Sequence, residues 1–187
     1  AYLARAGLSV LVLERRHQVG GAAVSERPFA GLPARLSSYS YLVGLMPEQV
    51  MRDLDLHVHL ASRRAASYTP HLHAGSPGGL QVERVEGEVT RASFRHLTGG
   101  DDEYAAWQQF YGEVKSLARA VSPTLTQPLP REREISSQVD ATLWRDLVTT
   151  PLGESIERRF NDDTVRGLVG TDALIGTFAS LHDSSLI

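Results

Sequence analysis

Cysteine is absent from the 187 residues, and with it go disulfides, thiolate zinc sites and cysteine nucleophiles. The redox compartment is left open. Long apolar runs are lacking too: near the start the longest is residues 10–13, far short of the ~18 that a membrane-spanning helix needs. Nothing reads as a signal peptide, so the expectation is a cytoplasmic protein with no transmembrane segment. Neither charge sign dominates. Nineteen basic residues against 22 acidic give a net charge of −3 with no dense Lys/Arg block, which argues against nucleic acid or a polybasic membrane surface. No GxSxG elbow exposes a nucleophile, so the Ser, His and Asp residues do not assemble into a hydrolase pattern. What is present is an apolar fraction of 42%, enough to bury a core in one good-sized domain or two small ones.

Residues 1–6 carry helix formers, and Gly7 stands where a helix C-terminus tolerates positive φ. Residues 9–13, SVLVL, form a short continuous apolar run suited to a strand buried on both faces of a parallel sheet. Helix then strand is the second half of a βαβ unit. Its first strand and glycine turn are then expected before Ala1, so the N-terminus reads as cut away. Pro47 opens a helix through Leu54. From Leu56 the pattern changes to short alternating segments, with GSPGG (75–79) as the turn between strands at 67–73 and 80–85. Residues 88–97 read as a short helix. The clearest helix starts at TGGDDEYAAW (98–107), with acidic residues loading its first turn. Trp107, Phe110, Tyr111, Val114, Leu117 and Val121 fall on one face, which reads as core. SPTLTQPLPRERE (122–134) is expected to be a loop, its RERE a solvated one, because three prolines fall within eight residues. Helices at 138–148, 152–160 and 164–174 close the pattern.

Fold class follows from this order: an incomplete α/β, Rossmann-like dinucleotide-binding portion over residues 1–55, then a mixed α+β, largely helical substrate domain over 56–187. An α/β beginning that gives way to a mixed domain implies insertion into a nucleotide-binding core. The remaining core strands are then expected after Ile187.

Chemistry concentrates in SVLVLERRHQVGGA (9–22). A carboxylate at the end of the second strand of a dinucleotide-binding unit accepts ribose hydroxyls, and Glu14 stands there. Alone, such a Glu is more often simply solvated. Six residues on, Gly20 and Gly21 let the backbone approach a ligand and present N–H groups to phosphate oxygens, where a side chain would obstruct. Their plainer reading is a flexible turn. A nicotinamide dinucleotide would use Glu14 equally well.

AYLARAGLSVLVLERRHQVGGAAVSE (1–26) resembles the segment after the first glycine loop in FAD-dependent oxidoreductases of the glutathione-reductase-like superfamily, in particular the phytoene dehydrogenase-related group that includes carotenoid desaturases. The likeness continues through SSYSYLVGLMPEQVMRDLDL (37–56), and more faintly through SYTP, TGGDDEYAAW and DALIGTFASL. It implies FAD as cofactor, with Glu14 on the adenosine ribose, Arg15 near the adenine, and Gly20 and Gly21 along the pyrophosphate. Ser38 and Tyr39 fall in a segment that approaches the flavin in relatives. Ala22 departs from the pattern, since many relatives place Arg directly after the doublet. The GxGxxG loop is missing, and helix N-terminal amides are the main pyrophosphate site. The chain alone is therefore expected to hold FAD poorly or not at all. The family implies hydride transfer between a small apolar substrate and flavin, and names no catalytic acid or base here. Two other expectations stand beside it: an NAD(P)-binding dehydrogenase, and a cofactor-free module whose unpaired strand at 9–13 drives homo-oligomer formation.

Two HxH pairs, His57/His59 and His71/His73, each share a strand face. No carboxylate pattern accompanies them, and no metal is expected.

Overall fold

The computed structural model describes residues 1–39, 43–73 and 75–183. Within the aromatic stretch 37–45, residues 40–42 lie outside this set, as does the His73 side chain. The chain forms two units, Ala1–Ala61 and Ser62–Ile187.

The first unit has little regular structure: helix α1 (Tyr2–Arg5), a 3₁₀ turn (Gly21–Ala23), strands β1 (Ser25–Glu26) and β2 (Leu36–Ser37), and helix α2 (Glu48–Asp53). β1 and β2 pair antiparallel. The expected helices at both ends of the segment form, with Gly7 at φ +81° after the first and Pro47 capping the second. Tyr2 Oη donates to Asp53 Oδ2 at 2.8 Å, linking the two helices.

The strand expected at residues 9–13 does not form. A strand takes its shape from ladder partners on its edges, and among the described residues nothing pairs with this segment. Leu11, Val12 and Leu13 are 80–85% exposed. Both ladders among the described residues are antiparallel, so the structure is mixed α and β without the parallel pairing of a βαβ unit.

The second unit is packed. Strands β3 (Ala65–His73) and β4 (Ser76–Glu83) form an antiparallel hairpin, followed by α3 (Glu88–Thr98), α4 (Asp102–Val121), a 3₁₀ turn (Ser122–Thr126), α5 (Glu132–Ser136), α6 (Ala141–Trp144), a π turn (Arg145–Thr149), α7 (Leu152–Arg159) and α8 (Asp163–Leu174). Leu80 and Val82 of β4 share one core with Phe94 and Leu97 of α3, Trp107, Phe110 and Leu117 of α4, and Ile156, Phe160, Val165 and Val169 further on. Phe94 packs against Trp107 with the rings tilted and their centroids 5.3 Å apart, and Phe110 meets Phe160 edge-on at 5.8 Å. Burying each such ring contributes about 1.5–3 kcal/mol. The α4 stripe is therefore core through Leu117, while Val121 at the helix end is exposed.

Three further expectations change. GSPGG is not as a whole the hairpin turn: His73 pairs with Ser76, so Ser76–Gly79 lies inside β4. Gly75 supplies the turn at φ +82°. Gly78 and Gly79 serve as seats instead, since a Cβ would come within 2.9 Å of the His71 ring on the first and would collide with the Tyr68 ring on the second. RERE is helical, because the Glu134 carboxylate reaches back to accept from Arg131 N at 2.9 Å and caps α5. The helix expected over 138–148 is divided: Asp140 Oδ1 accepts from Thr142 N and Leu143 N, so α6 starts only at Ala141.

Side chains of α3 close the free edge of β4. Thr90 Oγ1 accepts from Glu83 N at 2.9 Å, and Ser93 Oγ accepts from Gln81 N at 2.7 Å while donating to Gly79 O. Gly79 lies opposite Pro70. In an antiparallel ladder both members of such a pair point their backbone groups outward, so proline, which has no N–H, occupies the outer edge of β3.

Candidate functional site

The glycine doublet begins a tight turn. Gly20 adopts φ +133° and Gly21 φ +53°, conformations that side-chain-bearing residues avoid. At Gly20 a Cβ would also stand 2.9 Å from Val24 Cγ2. The following 3₁₀ turn, Gly21–Ala23, is closed by Ala23 N donating to Gly20 O at 3.0 Å. Val24 then inserts as the one buried apolar side chain among the described residues of this unit.

Residues 37 and 38 fasten the turn from the other side of the short ladder. Ser38 N donates to Val24 O at 3.1 Å, its hydroxyl lies 3.5 Å from the same carbonyl, and Ser37 Oγ lies 3.5 Å from Ala22 O. The register Ser25↔Ser37 and Glu26↔Leu36 fixes this approach. Of the residues singled out in the sequence, Gly20, Gly21, Ala22 and Ser38 are thus brought together. Ser37 belongs with them. The sequence signal for it is the serine doublet in SSYS.

Glu14 and Arg15 sit in an exposed bend, where Glu14 Oε1 accepts from Arg16 N at 2.9 Å. Nothing in the described hydrogen bonding ties that bend to the glycine turn. Tyr39 is 73% exposed. Space is open beside Gly21, where no atom lies within 4 Å of a would-be Cβ. The arrangement can present the backbone amides at the start of a turn to an anion, with the glycines keeping the approach clear.

Perturbed ionisations lie elsewhere. Hydrogen bonding to Asp53 raises the Tyr2 phenol, and the same bond holds Asp53 below the usual carboxylate range. In the second unit, burial first and Asp172 second push the Tyr111 phenol far up, so it stays a donor to Asp172 Oδ2 at 2.9 Å. Arg91 and Arg95 both chelate Asp101 and hold its carboxyl well below its ordinary value. These groups brace helices.

The histidine pairs fall in different units. His57 Nε2 lies 3.3 Å from Asp55, and His71 rests on Gly78 with both ring nitrogens buried and unpartnered. Among the described residues no three His, Cys, Asp or Glu side chains are arranged to hold a metal ion, and no helix is long and apolar enough to cross a membrane.

No family model matches the chain, and no solved structure does. It is 40% identical over 194 residues to an uncharacterized protein of Mycobacterium tuberculosis, covering 100% of the chain and 36% of that protein. It is 29% identical over 209 residues to the mouse pyridine nucleotide-disulfide oxidoreductase domain-containing protein 2, covering 97% of the chain and 36% of the mouse protein. A stretch of 56 residues is 48% identical to a limonene dehydrogenase subunit of Castellaniella defragrans, 30% of the chain and 10% of that protein. The chain therefore spans about 36% of the length of the first relatives it matches.

Proposed function

We propose that the chain carries part of the cofactor-binding face of an FAD-dependent oxidoreductase of the phytoene dehydrogenase-related kind, together with part of its substrate domain. The observation that carries this reading is the glycine turn at 20–22, held open by its own left-handed backbone and fastened by residues 37–38. Support also comes from relatives whose names denote a pyridine nucleotide-disulfide oxidoreductase domain and a limonene dehydrogenase.

What supports such a group is the open space beside Gly21, where no atom lies within 4 Å of a would-be Cβ. In this reading the amides of Gly21 and Ala22 face the pyrophosphate, Glu14 accepts from the ribose through the oxygen not bonded to Arg16, and Arg15 flanks the adenine. Ala22 brings no charge, so the phosphates rely on backbone dipoles. The Ser38 hydroxyl is engaged with the Val24 carbonyl, so its part is to hold the turn, with Tyr39 beside it toward the flavin. FAD, when bound, supplies a hydride acceptor, and the protein orients an apolar substrate against it. Residues 1–55 would belong to the cofactor domain and 56–187 to the substrate domain.

Expressed at the full length of its gene, the protein should purify with flavin or take it up on titration, read by flavin absorbance and fluorescence quenching. Glu14→Gln should weaken uptake about tenfold, the loss of one charge-assisted hydrogen bond. A colourless protein that ignores added FAD overturns the proposal, and bound NAD(P) in its place establishes the nicotinamide reading instead.

A further inference from the structure

The hairpin breaks a local rule at its open end. Arg84 N donates to Arg64 O at 2.9 Å, so the backbones of these two arginines pair just beyond the ends of the strands. Like charges directly opposite one another destabilise a sheet. Arg63 adds a third guanidinium, and the three line a cleft of about 370 Å³ with Ser62, Glu83 and Val85. The chain thus tolerates a repulsion with no compensation visible in packing, since Val85 and the three arginines are exposed.

Counter-charge is short there. Glu83 is the lone carboxylate in the lining, and its Oε1 lies 3.6 Å from Arg64 Nε, an ion pair without close hydrogen-bond geometry. The Glu83 side chain is largely buried and its backbone N–H is committed to Thr90, so it is not free to follow the arginines outward. Arg84 rests on the Ser62 hydroxyl, a neutral partner. Arg63 has no side-chain partner among the described residues. Three planar forks with one shared carboxylate leave a surplus of two positive charges around a concave opening.

We propose that this cleft is an oxyanion-binding site, which takes a carboxylate or phosphate group of a small molecule through Arg63, Arg64 and Arg84. Guanidinium forks match both groups by paired N–H···O contacts, and a bound anion relieves the repulsion between Arg64 and Arg84. The site lies wholly within residues 62–85 and does not depend on the cofactor reading.

The test is ligand-induced stabilisation of the full-length protein, with inorganic phosphate and succinate titrated separately against sodium chloride at matched ionic strength. The proposal expects a saturable shift in Tm with phosphate, succinate or both, beyond the effect of chloride. Which of the two acts identifies the group bound. The double variant Arg63→Gln/Arg84→Gln should raise the apparent Kd at least about tenfold, whereas Glu83→Gln, which removes the competing carboxylate, should lower it. Shifts no larger than those of chloride, or an apparent Kd unmoved in the double variant, overturn the proposal.

Discussion

The two units of this chain hold their shapes by different means. Among the described residues, Ala1–Ala61 buries one apolar side chain, Val24, and its order comes from backbone chemistry: four glycines at positive φ, a two-residue ladder and serines reaching the carbonyls of Ala22 and Val24. Ser62–Ile187 buries fourteen, and its order comes from burial. The first kind of structure sets local shape without contributing much stability, because an exposed hydrogen bond largely exchanges one partner for water. The second contributes stability, and its perturbed groups, Asp101 and Tyr111 among them, brace helices. The division suits the function proposed for residues 20–22, since binding sites are drawn from the less stable parts of a fold.

The largest expected difference between the units comes from deleting a core ring. Phe94, fully buried between Tyr104 and Trp107, should cost about 3–5 kcal/mol on replacement by alanine. Leu11→Ala, at an 82% exposed position, should stay within about 0.5 kcal/mol. Urea denaturation of the two variants decides it, and a comparable loss at Leu11 would break the contrast. A smaller effect is expected where backbone rather than burial holds the chain. Gly20→Ala combines a φ of +133° with a 2.9 Å approach to Val24, and should cost about 1–3 kcal/mol of local order. Amide exchange should quicken over residues 20–26 and not over α3 or α4.

The smallest effect is a pH dependence confined to the packed unit. The folded-state pKa of Asp101 is lowered by its hydrogen bonds to Arg91 and Arg95. A depressed carboxylate contributes stability above its ordinary value of 3.8, and that contribution is lost as pH falls below it. Asp101→Asn should therefore be the less stable protein at neutral pH, with the difference from wild type narrowing as pH drops from 4 toward 2. A difference that stays constant over that range would mean that the arginine bridge does not act through the carboxylate's charge.

How much of this was legible in the sequence depended on what held each element. α4 follows from side-chain periodicity and an acidic first turn, because burial of one face is the force that shapes it. Residues 9–13 form no strand here, since an apolar run records what a segment prefers but not whether a ladder partner exists. Gly78 and Gly79 were read as a turn because glycine permits turns. The same missing side chain also makes room for a ring, and only the register distinguishes the two. At the candidate site, the doublet Gly20–Gly21 and Ser38 were visible as residue types. The fastening of the turn by Ser37 and the meeting of Arg64 with Arg84 were not, because each depends on which strand residues end up opposite each other.

The covered edge of β4 and the proline-interrupted edge of β3 bear on how the protein behaves at high concentration. Hydroxyl groups of Thr90 and Ser93 occupy the backbone donors on one side, and Pro70 interrupts the row on the other. A stray extended segment from another molecule finds no continuous row of donors and acceptors to copy. The hairpin is thus a dead end for templated growth, so a crowded solution of this protein should begin to aggregate elsewhere than at its longest strands.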